Sequence, residues 1–333
     1  MPNFEDEIRH IVDAIQVLSS TAFLFAGERV DAEEKAWSAA TSQNLPIVTR
    51  LQQHLYQHCY CNAFGSTLHQ APPATVTSED FLAQLSQANM SRSRWDSNWK
   101  VTRVETTGQV WAEKSGVARI VQPGEFVNYS GAGTPVRPGN QISVYVFKES
   151  TTLQPGCYFA FGETVISSDS LDIFRLYWDI DEVGVLQLLR SLSRDLNRFQ
   201  VPFQCKSPVW PQGYMRRDAA VLYLKKRFYP VVRELADRWL RECSAHLRGG
   251  VPLFTLRLAP GLGLGEDPET GESFGMNRCR HVAEAIWNAH TQGISESQRP
   301  HAVKEHFRQH GLDFDRPWLN PGSVDQYSSQ ATA

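Results

Sequence analysis

The sequence predicts an α+β fold: a helical amino-terminal part with a small β-rich region, packed on a mixed, largely antiparallel sheet with helices. Three observations predict it. Apolar residues recur at helical spacing through much of the first 90 residues. Between about 95 and 165 the pattern changes to short runs punctuated by Gly and Pro. After 166 the order reads strand, helix, strand, strand, helix, strand, helix, which favours antiparallel neighbours.

Each element has its own signal. Residues 4–19 and 44–60 read as helices, the second with Leu45, Val48, Leu51, Leu55 and Cys59 as its stripe. A polar stretch, 66–79, contains Pro72-Pro73 and leads to a short helix at 79–88. Strands are expected at 99–105, 109–114, 117–122 and 142–148, with the Gly- and Pro-rich 128–140 as a loop. In 172–179 (DIFRLYWD), Phe174, Leu176 and Trp178 alternate with Ile173, Arg175, Tyr177 and Asp179. Val185, Leu189, Leu192, Leu196 and Phe199 form a helical stripe, followed by strands at 201–206 and 219–226. Pro230 suits a helix start, with Phe228, Val231, Val232, Leu235 and Trp239 as its apolar face. A further strand is expected at 252–258, then a helix capped by Ser273 with Cys279, Val282, Ala283 and Ile286 inward. This divides the chain into an amino-terminal part (1–165), an α+β domain (166–320) and a flexible tail (321–333).

The 333 residues suffice for a large core, and nine Trp with ten Tyr argue against disorder. A net charge of −3, from 33 Lys+Arg against 36 Asp+Glu, supplies no basic field for nucleic acid. No apolar run is long enough to span a bilayer, and the acidic, helix-patterned start is not a secretory signal. A cytoplasmic protein without membrane association is expected. His54 and His58, four residues apart, flank Cys59 and Cys61 in a possible zinc set. Reduced cysteines beside a packed helix are the favoured reading, so no metal is expected.

Common catalytic motifs are absent. GLGLGE (261–266) is an incomplete G-x-G-x-x-G with no βαβ unit after it, and reads as a turning loop. There is no P-loop, no H-E-x-x-H and no G-x-S-x-G. What remains is a set of cations where strands meet loops: Arg175, Lys206, Arg216, Arg217, Arg257, Arg278 and Arg280. Any one of them reads as a surface charge whose stem covers the core. Together, with few carboxylates beside them, they suggest recognition of phosphate or carboxylate.

Residues 173–287 resemble the HopA family of type III effectors and its bacterial relatives. The resemblance rests on FRLYWDI, LNRFQVPFQCK, GYMRRDAAVLYLKKR, PLFTLRLAPGLGLGEDP and GESFGMNRCRHVAEAI, in order and closely spaced. It extends more loosely to YCNAFG, GEFVNY and STTLQPGCYFAFGET. Relatives serve as lyases in class V lanthipeptide and thioamitide biosynthesis. There a separate kinase-like protein phosphorylates Ser or Thr of a precursor peptide, and the HopA-like partner eliminates the phosphate. A more distant similarity to OspF/SpvC phosphothreonine lyases implies a phosphothreonine-lyase-like fold. It also implies that Lys206 is the catalytic lysine and Tyr223 a site tyrosine. Arg216 or Arg217 would bind phosphate, with Arg278 or Arg280 as the later arginine of that site. Those lyases carry a histidine acid on the first strand, where this chain has Arg175. Arginine is a poor proton donor, so Tyr177, Tyr214 or His281 would serve, or the phosphate leaves unprotonated.

The implied chemistry suits the residue types. A neutral lysine is a competent base for a Cα proton, and nearby arginines both lower its pKa and neutralise the departing phosphate. The helix beginning near Ser273 would add its dipole. No metal or organic cofactor is needed. The expected activity is phosphoserine/phosphothreonine elimination on a precursor peptide. The alternatives are a non-catalytic phosphopeptide- or protein-binding module, and a secreted effector acting on host signalling.

Overall fold

The computed structural model describes residues 4–32, 45–66, 77–129, 134–167 and 171–328. Helix α1 (Phe4–Asp13) buries Ile8, Ile11 and Val12. A three-stranded meander follows: β1 (Ile15–Ser19), β2 (Ala22–Phe25) and β3 (Glu28–Asp31). The expected helix over 4–19 is therefore corrected. Ile15 continues the helical spacing of α1, but Ile15 and Val17 also alternate, and their pairing with Phe25 and Phe23 prevails. Ala26 and Gly27, with φ of 50° and 85°, form the two-residue turn that closes the second hairpin.

Helix α2 (Pro46–Leu55) runs on into a π-helical turn, Tyr56–Tyr60, and α3 (Ser78–Ala88) is capped by the Thr77 side chain. Next come β4 (Arg94–Val104), β5 (Val110–Lys114), β6 (Val117–Val121), β7 (Phe126–Asn128) and β8 (Gln141–Val146). They form a five-stranded sheet around Trp99, Val101, Val110, Ile142 and Val144, in the order β6-β5-β4-β8-β7. The remaining strands are β9 (Glu149–Ser150), β10 (Cys157–Phe161), β11 (Ile173–Trp178), β12 (Gln204–Pro208), β13 (Ala220–Lys225), β14 (Leu256–Ala259) and β15 (Leu262–Glu266). They pair antiparallel in the order β14-β15-β11-β13-β12-β10-β9.

One face of this seven-stranded sheet is mostly apolar, with buried Glu266 and Ser207 as its polar exceptions. Phe174, Leu176, Trp178, Leu222, Leu224 and Leu264 pack on α4 (Gly184–Arg198) and α5 (Tyr229–Glu242). Buried Asp195 of α4 accepts the Trp239 indole at 2.9 Å and pairs with Arg194 and Arg238. The opposite face meets α6 (Phe274–Thr291), which packs in turn on α2 and on α7 (Arg299–Gln309). Glycine permits this approach. A Cβ on Gly265 would stand 2.9 Å from the Phe274 ring, and one on Gly275 would stand 2.5 Å from Tyr60.

Four further expectations change. GLGLGE is not a loop: Gly261 turns the chain and Leu262–Glu266 is an interior strand. The strand expected at 252–258 begins only at Leu256, because Phe254 takes a positive φ of 71° in the preceding turn. The tail expected from 321 is docked as far as 328. Tyr327 is fully buried, and its hydroxyl reaches Glu266 at 3.1 Å, while 329–333 lie outside the described residues. The expected boundary at 165 also falls between β10 and β11 of one sheet, so residues 149–161 belong with the second half.

Candidate active site

Period-two geometry assembles the site. Cross-strand partners in an antiparallel sheet share a face, as do residues two apart on one strand. Arg175, Tyr223 and Gln204 form one row, and Tyr177, Val221, Lys206 and Phe159 the next. All seven therefore stand on the face opposite Leu176, Leu222 and Cys205. Lys206 lies diagonally across from Tyr223, a Cα separation of about 7–8 Å in such ladders.

Lys206 is half-buried, and among the described residues its amine has no hydrogen bond and no carboxylate partner. Cys157 stands two residues from Phe159 on the same face. Burial pushes the Cys157 thiol up, with Lys206 and Arg216 opposing and Asp218 adding to the rise, so both cations lie within electrostatic reach of it.

Arg175 is buried and ion-paired to Asp267, with its guanidinium 5.1 Å from the centre of the Tyr223 ring. Burial raises the pKa of Tyr223 and Tyr177, with Arg175 opposing, so both phenols are protonated near neutrality. Tyr177 meets Tyr60 edge to face at 6.2 Å. Both hydroxyls are buried without a hydrogen-bond partner of good geometry, an unusual state for two polar atoms behind a cationic patch.

Arg216 donates to both oxygens of Asp218 at 2.8 Å, and to Tyr56 Oη and Cys61 Sγ at 3.0 Å each. Its side chain stays 42% exposed, so one edge of the fork still faces outward. The expectation of few accompanying carboxylates is thus overturned: Asp267 and Asp218 each neutralise one arginine. An incoming anion must share or displace them.

Several predicted residues lie elsewhere. Tyr214 is buried in the core on the other side of the sheet, donating to the Pro208 carbonyl at 3.0 Å, so it cannot serve as the acid here. Arg217 turns away to the Val251 carbonyl at 3.2 Å. Arg278 is fully buried and donates to the Pro317 and Leu319 carbonyls at 2.8 Å each, and burial lowers its pKa to about 10. It anchors the carboxy-terminal segment rather than a surface anion. Arg280 pairs with Glu272 and Glu284. His281, held at a pKa of about 3 chiefly by burial, is neutral and lies between α6 and α7, apart from Lys206. Ser273 does cap α6, its hydroxyl taking the Met276 amide at 3.3 Å. His54 and His58 stack at 4.1 Å, and Cys59 and Cys61 are buried.

Tyr56, Tyr60, Cys157, Gln204, Asp218 and Asp267 are site residues that sequence reasoning missed. Asp218 follows the Arg pair directly and Asp267 closes GLGLGED, so proximity in sequence was a usable signal for both. Tyr56 and Tyr60 reach the site only through the packing of the π turn on α6.

The HopA1 effector protein family model matches residues 148–319, just over half the chain. The chain belongs to the HopA1 effector protein family. The matched region begins at the first strand of the seven-stranded sheet and covers every cation named above. Two solved effector proteins of Pseudomonas syringae are similar to this HopA1 family member. That of pv. tomato strain DC3000 is 15% identical with a TM-score of 0.44, over 80% of this chain and 89% of that one. That of pv. syringae strain 61 is 12% identical with a TM-score of 0.41, over 85% and 99%. No functionally curated protein matches the chain. Among the described residues, no helix is long and apolar enough to cross a membrane.

Proposed function

We propose that this HopA1 family protein is a phosphoserine/phosphothreonine lyase acting on a precursor peptide phosphorylated by a separate kinase-like protein. The observation that carries the reading is a lysine without a carboxylate partner on the same sheet face as Arg175, Tyr223 and Arg216. Lys206 Nζ removes the Cα proton, and that electron pair becomes the Cα=Cβ double bond. The Cβ–O bond breaks, and phosphate leaves with its electrons. Arg216, with Arg175 behind it, compensates the leaving charge. Tyr223 donates a hydrogen bond as charge builds on the carbonyl or on phosphate. Arg175 supplies charge and no proton, and Tyr214 and His281 lie elsewhere, so phosphate leaves unprotonated with the arginines compensating its charge. The products are dehydroalanine or dehydrobutyrine.

A groove of about 560 Å³ beside this face supports a peptide substrate. Phe147, Leu153, Phe161 and Val165 line it together with Arg119, Glu125 and Glu149, and so does Gln204, which shares a row with Tyr223 and Arg175. A groove of mixed polar and apolar lining next to that row fits a chain segment flanking a phosphorylated residue.

Mass spectrometry of a synthetic phosphothreonine peptide, with and without the protein, tests the reading. Loss of phosphoric acid to give dehydrobutyrine is expected. Hydrolysis to threonine would reject it, and tight binding without turnover would favour a phosphopeptide-binding module. The family's effector description favours a second reading, in which the same site acts on a folded host phosphoprotein. Elimination on such a protein but not on peptides would select it.

A further inference from the structure

A second polar cluster lies between α6 and α7, away from the cationic face. His281 and Glu284 stand three residues apart on one face of α6, while His306 lies in the last turn of α7 and His310 is the C-cap residue that follows it. One ligating atom from each of the four lies within 4.8 Å of all the others. His281 Nδ1 is 3.4 Å from His306 Nε2, and Glu284 Oε2 is 3.3 Å from His306 Nε2 and 3.9 Å from His281 Nδ1.

These separations are long for hydrogen bonds, whose usual N–H···O range is about 2.7–3.2 Å. Two of the three match the edge of a tetrahedron around zinc, about 3.3–3.4 Å for bonds of about 2.0–2.1 Å, and the 3.9 Å separation is longer. The surroundings are also those of a ligand set. Arg280 holds Glu284 Oε1 at 2.9 Å, which turns Oε2 toward the histidines. His310 Nδ1 sits 2.8 Å from the His306 carbonyl, which protonates Nδ1 and leaves the Nε2 lone pair for a ligand. His281 and His306 are buried and His310 is exposed, so the cluster has a closed floor and an open mouth.

We propose that His281, Glu284, His306 and His310 form a zinc site that staples α7 to α6. Three imidazoles and one carboxylate suit a borderline divalent ion, and they contain no thiolate to favour copper(I). The staple fixes α6, which carries Phe274 against the rear of the candidate active site, to the helix outside it. It supplies stability, and the elimination chemistry does not use it.

The test uses full-length protein with any affinity tag removed, stripped with chelator and then titrated with zinc chloride. Uptake of one zinc per chain and a raised Tm are expected. Cobalt(II) should give visible d–d bands of a four-coordinate site without thiolate charge transfer. His310→Ala removes an exposed ligand at little risk to folding, and with Glu284→Gln as a second variant each should weaken zinc binding at least tenfold. No zinc uptake at tenfold molar excess would overturn the proposal. So would unchanged affinity in both variants, or a thiolate band pointing to Cys59 and Cys61.

Discussion

Arg175 donates to a single oxygen of Asp267 through both Nε, at 2.9 Å, and Nη2. The ion pair joins an interior strand to the end of its neighbour and lays the guanidinium against the Tyr223 ring. On this strand the protein therefore carries a permanent, fixed cation. A charge held so rigidly acts on a leaving group only as far as the anion shares the guanidinium with Asp267.

Removing Asp267 should therefore be costly. The Arg175 and Asp267 side chains are only 11% and 18% exposed, so Asp267→Ala strands a largely buried guanidinium, at about 3–5 kcal/mol. Urea unfolding measures this through the midpoint at constant slope. A loss below about 1 kcal/mol would mean that water already screens the pair.

Lys206→Arg keeps the positive charge but supplies no neutral base near physiological pH. Lys206→Ala removes both. If Lys206 takes the Cα proton, each variant binds phosphopeptide yet forms no dehydrobutyrine, with rates reduced at least about 10²-fold, the lower end for a general base. Substantial product from Lys206→Arg would assign the residue to phosphate clamping instead.

Tyr327→Ala should destabilise the protein by about 3–5 kcal/mol, as large-to-small changes of buried aromatics do. Its ring is fully buried and packs edge-on against Tyr229 at 4.7 Å. Truncation after residue 320 should lower Tm in the same direction. Thermal unfolding identical to wild type in both would show that this segment does not contribute to the core.

Stability should fall as pH drops below about 6.5, with His54 a contributor. Burial, with His58 and Arg50 adding to it, lowers the His54 pKa to about 4. Between those values the unfolded chain binds a proton that the folded chain does not, so acid favours unfolding there. His54→Gln should flatten the Tm–pH profile between pH 6.5 and 4. An unchanged slope would mean that His54 is as free to protonate in the fold as in the unfolded chain.

Much of the candidate site is legible in the sequence alone. The alternation in FRLYW and in AVLYLK is enough to set Arg175, Tyr177 and Tyr223 on the face away from the leucines. The same rule places Lys206 opposite Cys205 on the strand that follows α4. Arg278 and Arg280 are harder: as arginines on a helix of the family motif they look like anion ligands. Only the distant Pro317 carbonyl shows Arg278 to be occupied, whereas the Arg280 partners Glu272 and Glu284 are near in sequence and the i,i+4 one was readable there. The histidine cluster gives only a weak sequence signal: His306 and His310 have the same i,i+4 spacing as His54 and His58, and nothing local links them to His281 and Glu284 more than twenty residues earlier.

By itself, then, the sequence determined the α+β class, most of the strands and the sidedness of the central sheet. These depend on side-chain period, which is a property of neighbouring residues. The tertiary structure alone decided which helix covers the polar face and that Ile15–Ser19 pairs as a strand. It also decided that Asp267 and Asp218 neutralise the arginines, and that Tyr327 is core. Each of those outcomes compares the burial and pairing of segments far apart in the chain. A local pattern reports which face is apolar, but the surface that buries that face is chosen by the whole fold.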